Sequence, residues 1–432
     1  MKFDVLRKSH VKKNIIIGVV VVVVIAAIVI GFTKAKFKTA QTISLINGTV
    51  NYSLADLNAV AVYLQDEGVE GGYRKADTIP TEGYIFNEDA SYCTVNGTRD
   101  DNISLTYNPD TQSLSVAPLT TKGTKCYLYF DESLCPEGAT ACNTILAGKT
   151  QGNRGSLGSA FSTNTTGEYF TTTDWDGTTY YFAGNPSDNW VKFAGYYWRI
   201  IRVNGDGSIR LIYQGTSANT TGSGTQIKRR AFNSTYNHSR YVGLVYGTSS
   251  QQHGYGNNST IMGELNTWYT NNIQNKGYAS YIDTGAGFCS DRGPTSSSWT
   301  NAGFNYAAYD RIRGGNPSLD CSDEDILSKD NGRLDNPIGL ITADEVMYGG
   351  IPNWNSSNTS NYLYTGQTYW TMSPFGFYST GRALVFSVSS SGYLGNGSVD
   401  NADGVRPVIN LKANTAISSG NGQATSPFVI ST

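Results

Sequence analysis

The residues that could do chemistry are few and scattered. The densest carboxylate group is Asp320, Asp323, Glu324 and Asp325, with Asp330 and Asp335 close behind. It offers either a cation site or a carboxylate pair working as acid and base on a glycosidic bond. The spacing matches no ligand template, which favours solvated loop acids, or acids capping a short helix through Ile326-Leu-Ser. Of the three histidines, His10, His238 and His253, the last two stand in Asn/Ser/Gly-rich loops and neither follows a nucleophile elbow, so a histidine relay has no visible partner. A Gly-x-x-x-x-Gly-Lys-Ser/Thr phosphate loop is absent. Asn204-Gly-Asp-Gly lacks the further oxygens of a calcium loop. Lys228-Arg-Arg230 is a basic run of three, and a net charge of -2 with 15% charged residues carries no footprint for nucleic acid. The expectation is a non-catalytic binding protein with no cofactor and no metal. The alternatives are a surface enzyme acting on cell-wall or host glycans through the carboxylates of residues 320–335, and a structural envelope protein.

Residues 15–32 run without a charge or an Asn, Gln, Ser or Thr. As a helix rising about 1.5 Å per residue they cover roughly the hydrocarbon thickness of a bilayer. Lys2, Arg7, Lys8, Lys12 and Lys13 precede the run and only Lys34, Lys36 and Lys38 follow at once, which orients the N-terminus to the cytoplasm. A cleaved signal would have a shorter apolar core and a small-residue cleavage site. The expectation is a single-pass cell-membrane protein with its later domains extracellular. All six cysteines, Cys93, Cys126, Cys135, Cys142, Cys289 and Cys321, then lie outside, where an even number favours disulfides. Pairing in sequence order, 93 with 126, 135 with 142 and 289 with 321, closes each loop inside one unit.

With 48 Gly, 29 Tyr and 7 Trp, the chain suits a mainly β, loop-rich ectodomain in which Tyr and Trp offer rigid contact faces. The expected order is a cytoplasmic tail (1–14), the transmembrane anchor (15–32), a stalk (33–49), a small β-sandwich (50–131), a Gly/Thr/Ser-rich linker (132–176) and a head (177–432). The sandwich is read from period-two runs such as Ile103-Ser-Leu-Thr-Tyr and Cys126-Tyr-Leu-Tyr-Phe. A helix opening at Ser53 remains an alternative there, and the linker has a short helical turn near Thr144. In the head, Tyr196-Tyr-Trp-Arg-Ile-Ile-Arg-Val and Ser208-Ile-Arg-Leu-Ile-Tyr flank Asn204-Gly-Asp-Gly as a hairpin. Ile261, Leu265, Trp268, Tyr269 and Ile273 share one face of a helix capped by Ser259 or Thr260. Residues 334–341 read as a strand entering a second helix, whose start, Thr342-Ala-Asp-Glu345, is a capping box. Tyr369-Trp-Thr-Met-Ser, Arg382-Ala-Leu-Val-Phe-Ser-Val and Val405-Arg-Pro-Val-Ile-Asn-Leu are strands. Arg406, among apolar neighbours, is expected to be buried and paired with a carboxylate.

This order, with Tyr196-Tyr-Trp-Arg-Ile-Ile, Leu265-Asn-Thr-Trp-Tyr, Tyr369-Trp-Thr-Met-Ser-Pro and Gly404-Val-Arg-Pro-Val-Ile-Asn-Leu, resembles the C-type-lectin-like domain of the formylglycine-generating and sulfatase-modifying family, in the form carried by bacterial surface proteins. The resemblance implies an α+β head in which a twisted antiparallel sheet and two helices support a long irregular region whose loops bind the ligand. It also implies that the ligand-facing residues precede the terminal strand. These are Tyr393, Asn396, Ser398, Asp400 and Asn401, with Tyr378 beside them, recognising a glycan or a protein. No cysteine follows Cys321, so the copper-binding cysteine pair of the family's oxygen-dependent enzyme has no counterpart. The Glu-Pro-Asn signature of calcium-dependent sugar-binding lectins is absent too. The full-length chain should enter the detergent phase on phase separation while a chain beginning at Thr33 stays aqueous; equal partitioning removes the anchor.

Overall fold

The computed structural model describes residues 41–44, 60–66, 71–80, 83–108, 113–117, 123–136, 138–218, 220–295, 303–354 and 356–432. The chain divides into two compact units, Met1–Glu137 and Gly138–Thr432. The expected span at 15–32 and the helix opening at Ser53 lie outside the described residues, among which no helix is long and apolar enough to cross a membrane.

The first unit consists of β1 (Gln41–Ser44), β2 (Val60–Gln65), β3 (Tyr73–Ala76), β4 (Tyr84–Val95), β5 (Thr98–Arg99), β6 (Ser104–Asn108), β7 (Ser113–Ala117) and β8 (Thr124–Glu132). Period-two sequence makes each strand two-faced. In β8, Cys126, Leu128 and Phe130 point inward while Tyr127 and Tyr129 stay partly exposed. A sheet ordered β3-β2-β8-β4-β5 and a second ordered β1-β7-β6 share one core holding Val62, Leu64, Leu105, Leu114, Leu128 and Phe130, which makes the unit a two-layer sandwich. Cys93 and Cys126 are register partners on β4 and β8 and are disulfide-bonded. One correction concerns the expected stalk (33–49): part of it is β1, which pairs antiparallel with β7.

A second correction concerns the expected linker (132–176). From residue 138 it belongs to the second unit and contributes the helix α1 (Thr140–Leu146), β9 (Thr150–Gln151) and β10 (Glu168–Asp174). Its Thr-rich strand, Glu168-Tyr-Phe-Thr-Thr-Thr-Asp, hides in a polar sequence because threonine is β-branched without being apolar. β10 pairs with β11 (Gly177–Tyr181), followed by β12 (Trp190–Phe193), β13 (Tyr196–Val203) and β14 (Ile209–Gly215). The β13–β14 hairpin forms as expected. Asp206 Oδ1 accepts from Ser208 N at 2.8 Å, and Gly207 takes φ 82° to turn the chain. β13 lies between β14 on one side and β11 and β12 on the other, at the centre of a nine-stranded sheet.

Beyond it come β15 (Lys228–Ala231), β16 (Val245–Tyr246), β17 (Asn257–Asn258), the helix α2 (Thr260–Asn272), β18 (Phe288–Cys289), β19 (Phe304–Asn305), the helix α3 (Ala307–Gly314), β20 (Ile326–Leu327) and the helix α4 (Ala343–Gly349). Ser259 caps α2 by accepting from Met262 N, and Ile261, Leu265 and Tyr269 face inward as their spacing predicts. Ile326-Leu is a strand paired with β18 rather than a helix. Residues 334–341 are not a strand: the chain bends at 335–337, where Ile338 N donates back to Asn336 O, and meets the sheet at one bridge, Gly339 to Val408. The chain ends in β21 (Tyr369–Tyr378), β22 (Arg382–Val388), β23 (Leu394–Ser398), β24 (Ala402–Val405), β25 (Val408–Leu411), β26 (Ile417–Ser419) and β27 (Phe428–Ile430). A six-stranded sheet runs β15-β24-β21-β22-β23, with β19 on β21, while β25 joins β14 in the larger sheet. Cys289 is bonded to Cys321. Cys135 and Cys142 are disulfide-bonded too, and no described cysteine is free.

A buried charge network joins these pieces. Thr342 Oγ1 accepts from Glu345 N at 3.1 Å, and Glu345 Oε2 accepts from Thr342 N at 2.9 Å, closing the capping box of α4. The other oxygen, Oε1, lies 3.1 Å from Arg202 Nε on β13 and 2.5 Å from Arg210 Nε on β14. Arg202 also pairs with Asp174 at the end of β10. Beside it, Asp344 holds Arg311 of α3 through two contacts of 3.0 Å, and Arg311 reaches Asp291 at 2.5 Å. Burial pushes the Glu345 carboxyl up, but Arg210, Arg202 and the Thr342 amide outweigh it and hold it below the usual range. Glu345→Gln should lower the unfolding free energy of the full chain by about 3–5 kcal/mol in a denaturant titration, because buried Arg210 loses its counter-charge and Arg202 keeps only Asp174. A loss below about 1 kcal/mol would show the network to be dispensable.

Candidate functional site

Among the described residues the exposed large hydrophobics of the second unit are Tyr236, Trp354 and Tyr378, at 37%, 37% and 44% exposure. They meet at one end of the β21–β22 hairpin. Tyr378 stands directly opposite Arg382 in the ladder. The guanidinium of Arg382 lies over the Tyr236 ring at 4.8 Å. On the other side, Tyr378 contacts buried Phe375 edge-on at 6.3 Å, and Phe375 in turn touches Trp354 at 6.2 Å and Tyr309 at 4.9 Å. Trp354 and Tyr309 stack at 6.1 Å with 25° between their planes. The bulge between Pro374 and Gly376 places Phe375 on this face, against Phe386 of β22 at 4.9 Å.

Strand alternation extends the face to β23. Leu384 is opposite Ser398 and Phe386 opposite Asn396, so Asn396 and Ser398 share the side of Arg382 and Phe386. Arg382 Nη1 lies 3.4 Å from Asp400 and 3.3 Å from Ser398 Oγ, and the Ser398 hydroxyl donates to Asp400. The strip thus offers aromatic faces next to an exposed cation, a carboxylate and an amide. That combination suits the apolar C–H face and hydroxyls of a sugar, because aromatic faces carry negative quadrupole charge, and it equally provides the Trp, Tyr and Arg anchors of a protein interface.

The residues expected from the resemblance divide accordingly. Tyr378, Asn396, Ser398 and Asp400 come together here. Tyr393 does not: its ring lies over Gly395, whose missing Cβ would meet it at 3.0 Å, on the opposite face of β23. Asn401 is an exposed turn residue donating its backbone N–H to Ser398 O. Trp354, Tyr309, Tyr236 and Arg382 were not among the expected residues. The signal for two of them was present, since Trp354 in Asn353-Trp-Asn-Ser-Ser-Asn and Tyr236 in Ser234-Thr-Tyr-Asn-His are aromatics with no apolar neighbour to bury them.

The other sequence candidates are occupied structurally. Asp325 accepts from Ser290 Oγ at 2.9 Å and from Arg292 N at 3.2 Å, and Asp335 accepts from Asn258 at 2.7 Å and Asn266 at 3.2 Å. Asp320, Asp323, Glu324 and Asp330 are exposed, and no group of three His, Cys, Asp or Glu among the described residues is placed to hold a metal ion. Lys228 and Arg230 share Glu264 and Arg229 meets Asp403, so two of the three charges in the basic run are compensated. Arg406 is buried as expected, but its partners are not carboxylates. It donates to Tyr213 O, Leu363 O and Gln214 Oε1 and lies 4.7 Å from the Tyr369 ring. No protein-family model, curated protein or solved structure matches the chain.

His253 is half-buried beside Arg292, whose Nη2 donates to its carbonyl at 2.8 Å. Burial first, then Arg292 and His238, lower its pKa from 6.5 to about 4. The folded state therefore binds this proton less readily than the unfolded one, so its contribution to stability is complete above about pH 6.5 and declines as pH falls toward 4. In an NMR titration the His253 ring should titrate near pH 4; a midpoint near 6.5 would rule out the burial.

Proposed function

We propose that this chain is a non-catalytic, membrane-anchored surface protein whose second unit is a C-type-lectin-like head that binds a glycan on the strip around Tyr378. The observation that carries the reading is the convergence of Tyr236, Trp354 and Tyr378 on one sheet face beside the Arg382–Asp400 pair. Large aromatics exposed to water carry an unfavourable hydration free energy that burial against a ligand relieves. Mainly antiparallel strands and a long irregular stretch clipped by the Cys289–Cys321 bond support the lectin-like assignment, although the described residues of the unit carry four α-helices where the resemblance implies two. The apolar run at 15–32 supports the anchor and an outward-facing head.

The test is a glycan array probed with the labelled full chain and its variants. Trp354→Ala and Tyr378→Ala should each weaken binding about tenfold, the loss of roughly 1.4 kcal/mol expected for one aromatic anchor. Circular dichroism should show both variants still folded, because neither side chain is buried in the core. Wild-type binding that survives both substitutions would place the ligand elsewhere, and product release from a bound glycan would favour an enzyme.

A further inference from the structure

Lys149, just ahead of β9, and Asp188, just ahead of β12, form a buried pair in which Nζ donates to Oδ2 and each side chain is 6% exposed. The carboxylate of Glu345 is satisfied from several sides, whereas this pair leaves its polar atoms short. Lys149 carries three N–H donors and meets one acceptor among the described residues, its other neighbour being the Phe182 ring at 5.7 Å. Asp188 Oδ2 also accepts from Gly167 N at 3.0 Å, but buried Oδ1 has no hydrogen-bond partner among the described residues. An ammonium and a carboxylate held in this way bear a desolvation cost that a single contact does not recover.

Backbone on both sides pins the two groups together. Lys149 N donates to Leu146 O at 3.0 Å and Thr150 N to Gly167 O at 2.9 Å, and Gly167 is the residue whose own N–H reaches Asp188. On the far side a Cβ at Gly422 would collide with Asp188 O, and Trp190 N donates to Gly422 O at 2.9 Å. Such fixed proximity is worth an effective molarity of about 10⁵–10⁸ M for well-oriented groups. We propose that Lys149 and Asp188 condense into an intramolecular isopeptide bond that ties the entry of β9 covalently to the entry of β12. A proton passes from Nζ to Oδ2, which burial favours because both groups become neutral. The nitrogen lone pair then attacks Cγ, Nζ gives a second proton to Oδ2, and the Cγ–Oδ2 bond breaks to release water. Oδ1 stays as the amide carbonyl and Nζ keeps one hydrogen, so an ammonium and a carboxylate become an amide and one water without an oxidant or a co-reactant. The positive field of Arg199, which Asp188 feels across the same buried space, stabilises negative charge developing on the Cγ oxygens.

Intact-mass spectrometry of the reduced full chain tests this. The wild-type chain should read one water below the mass of its sequence. Trypsin should leave the bond after Lys149 uncut in the unfolded chain and yield its peptide joined to the one carrying Asp188. Lys149→Arg keeps the positive charge, but a guanidinium stays protonated and is no nucleophile, so this variant should read full mass with no joined peptide. A wild-type chain at full mass and cut after Lys149 would overturn the proposal. So would a water deficit that persists in Lys149→Arg, or one without the joined peptide.

Discussion

One carboxylate holds the second unit together. Glu345 closes the capping box of α4 with one oxygen and faces Arg202 and Arg210 with the other, so the start of a helix is bound to two neighbouring strands of the nine-stranded sheet. A helix N-terminus already favours negative charge. Two guanidiniums at the same point turn that preference into a constraint, because neither they nor the carboxylate tolerate burial alone. Asp344, one residue earlier, does the same for Arg311 of α3 and through it for Asp291. The irregular stretch between β18 and α4 is thus tied at Asp291 and Arg311 by charge and at Cys289 by a covalent bond.

The buried arginines follow a division of labour. Arg202, Arg210 and Arg311, which meet the start of α4, pair with carboxylates and fix elements to one another. Arg199 and Arg406 are satisfied by backbone carbonyls, side-chain amides and aromatic faces, at Trp190 and Tyr369 respectively. A planar guanidinium makes this workable, since it can fill several neutral acceptors in fixed directions and still stack on a ring. The tyrosines show a related economy. In the first unit Tyr63, Tyr92, Tyr127 and Tyr129 stack on the outer face of the sheet at centroid distances of 4.9–6.3 Å, close to the strand spacing. Their faces are turned to one another. On the strip of the second unit, Trp354 and Tyr378 are more exposed and retain surface for a partner.

Much of the local structure was legible in the amino-acid order. The β13–β14 hairpin, the Ser259 cap and inward face of α2, the capping box of α4 and the pairings of Cys93 with Cys126 and Cys289 with Cys321 all stand where spacing placed them. What escaped was structure built from residues that carry no pattern of their own. β10 is a run of threonines in a polar segment, and β1 is four residues long. Ile326-Leu is too short to declare its type and became a strand because Phe288-Cys289 lay opposite. Of the expected binding residues, the strand parity of β23 kept Asn396 and Ser398 together and sent Tyr393 to the other side.

The sequence by itself determined the features whose causes lie within a turn or a strand: the apolar run at 15–32, the alternation that makes the first unit two-faced, the caps and the turn glycines. Tertiary structure decided which distant groups share a site. Arg202 and Glu345 are 143 residues apart, and the strip draws Tyr236, Trp354, Tyr378 and Asp400 from separate loops and strands. Periodicity and capping act over neighbouring residues, whereas charge pairing and aromatic contact act through space, and only the register of the sheets brings those partners within reach.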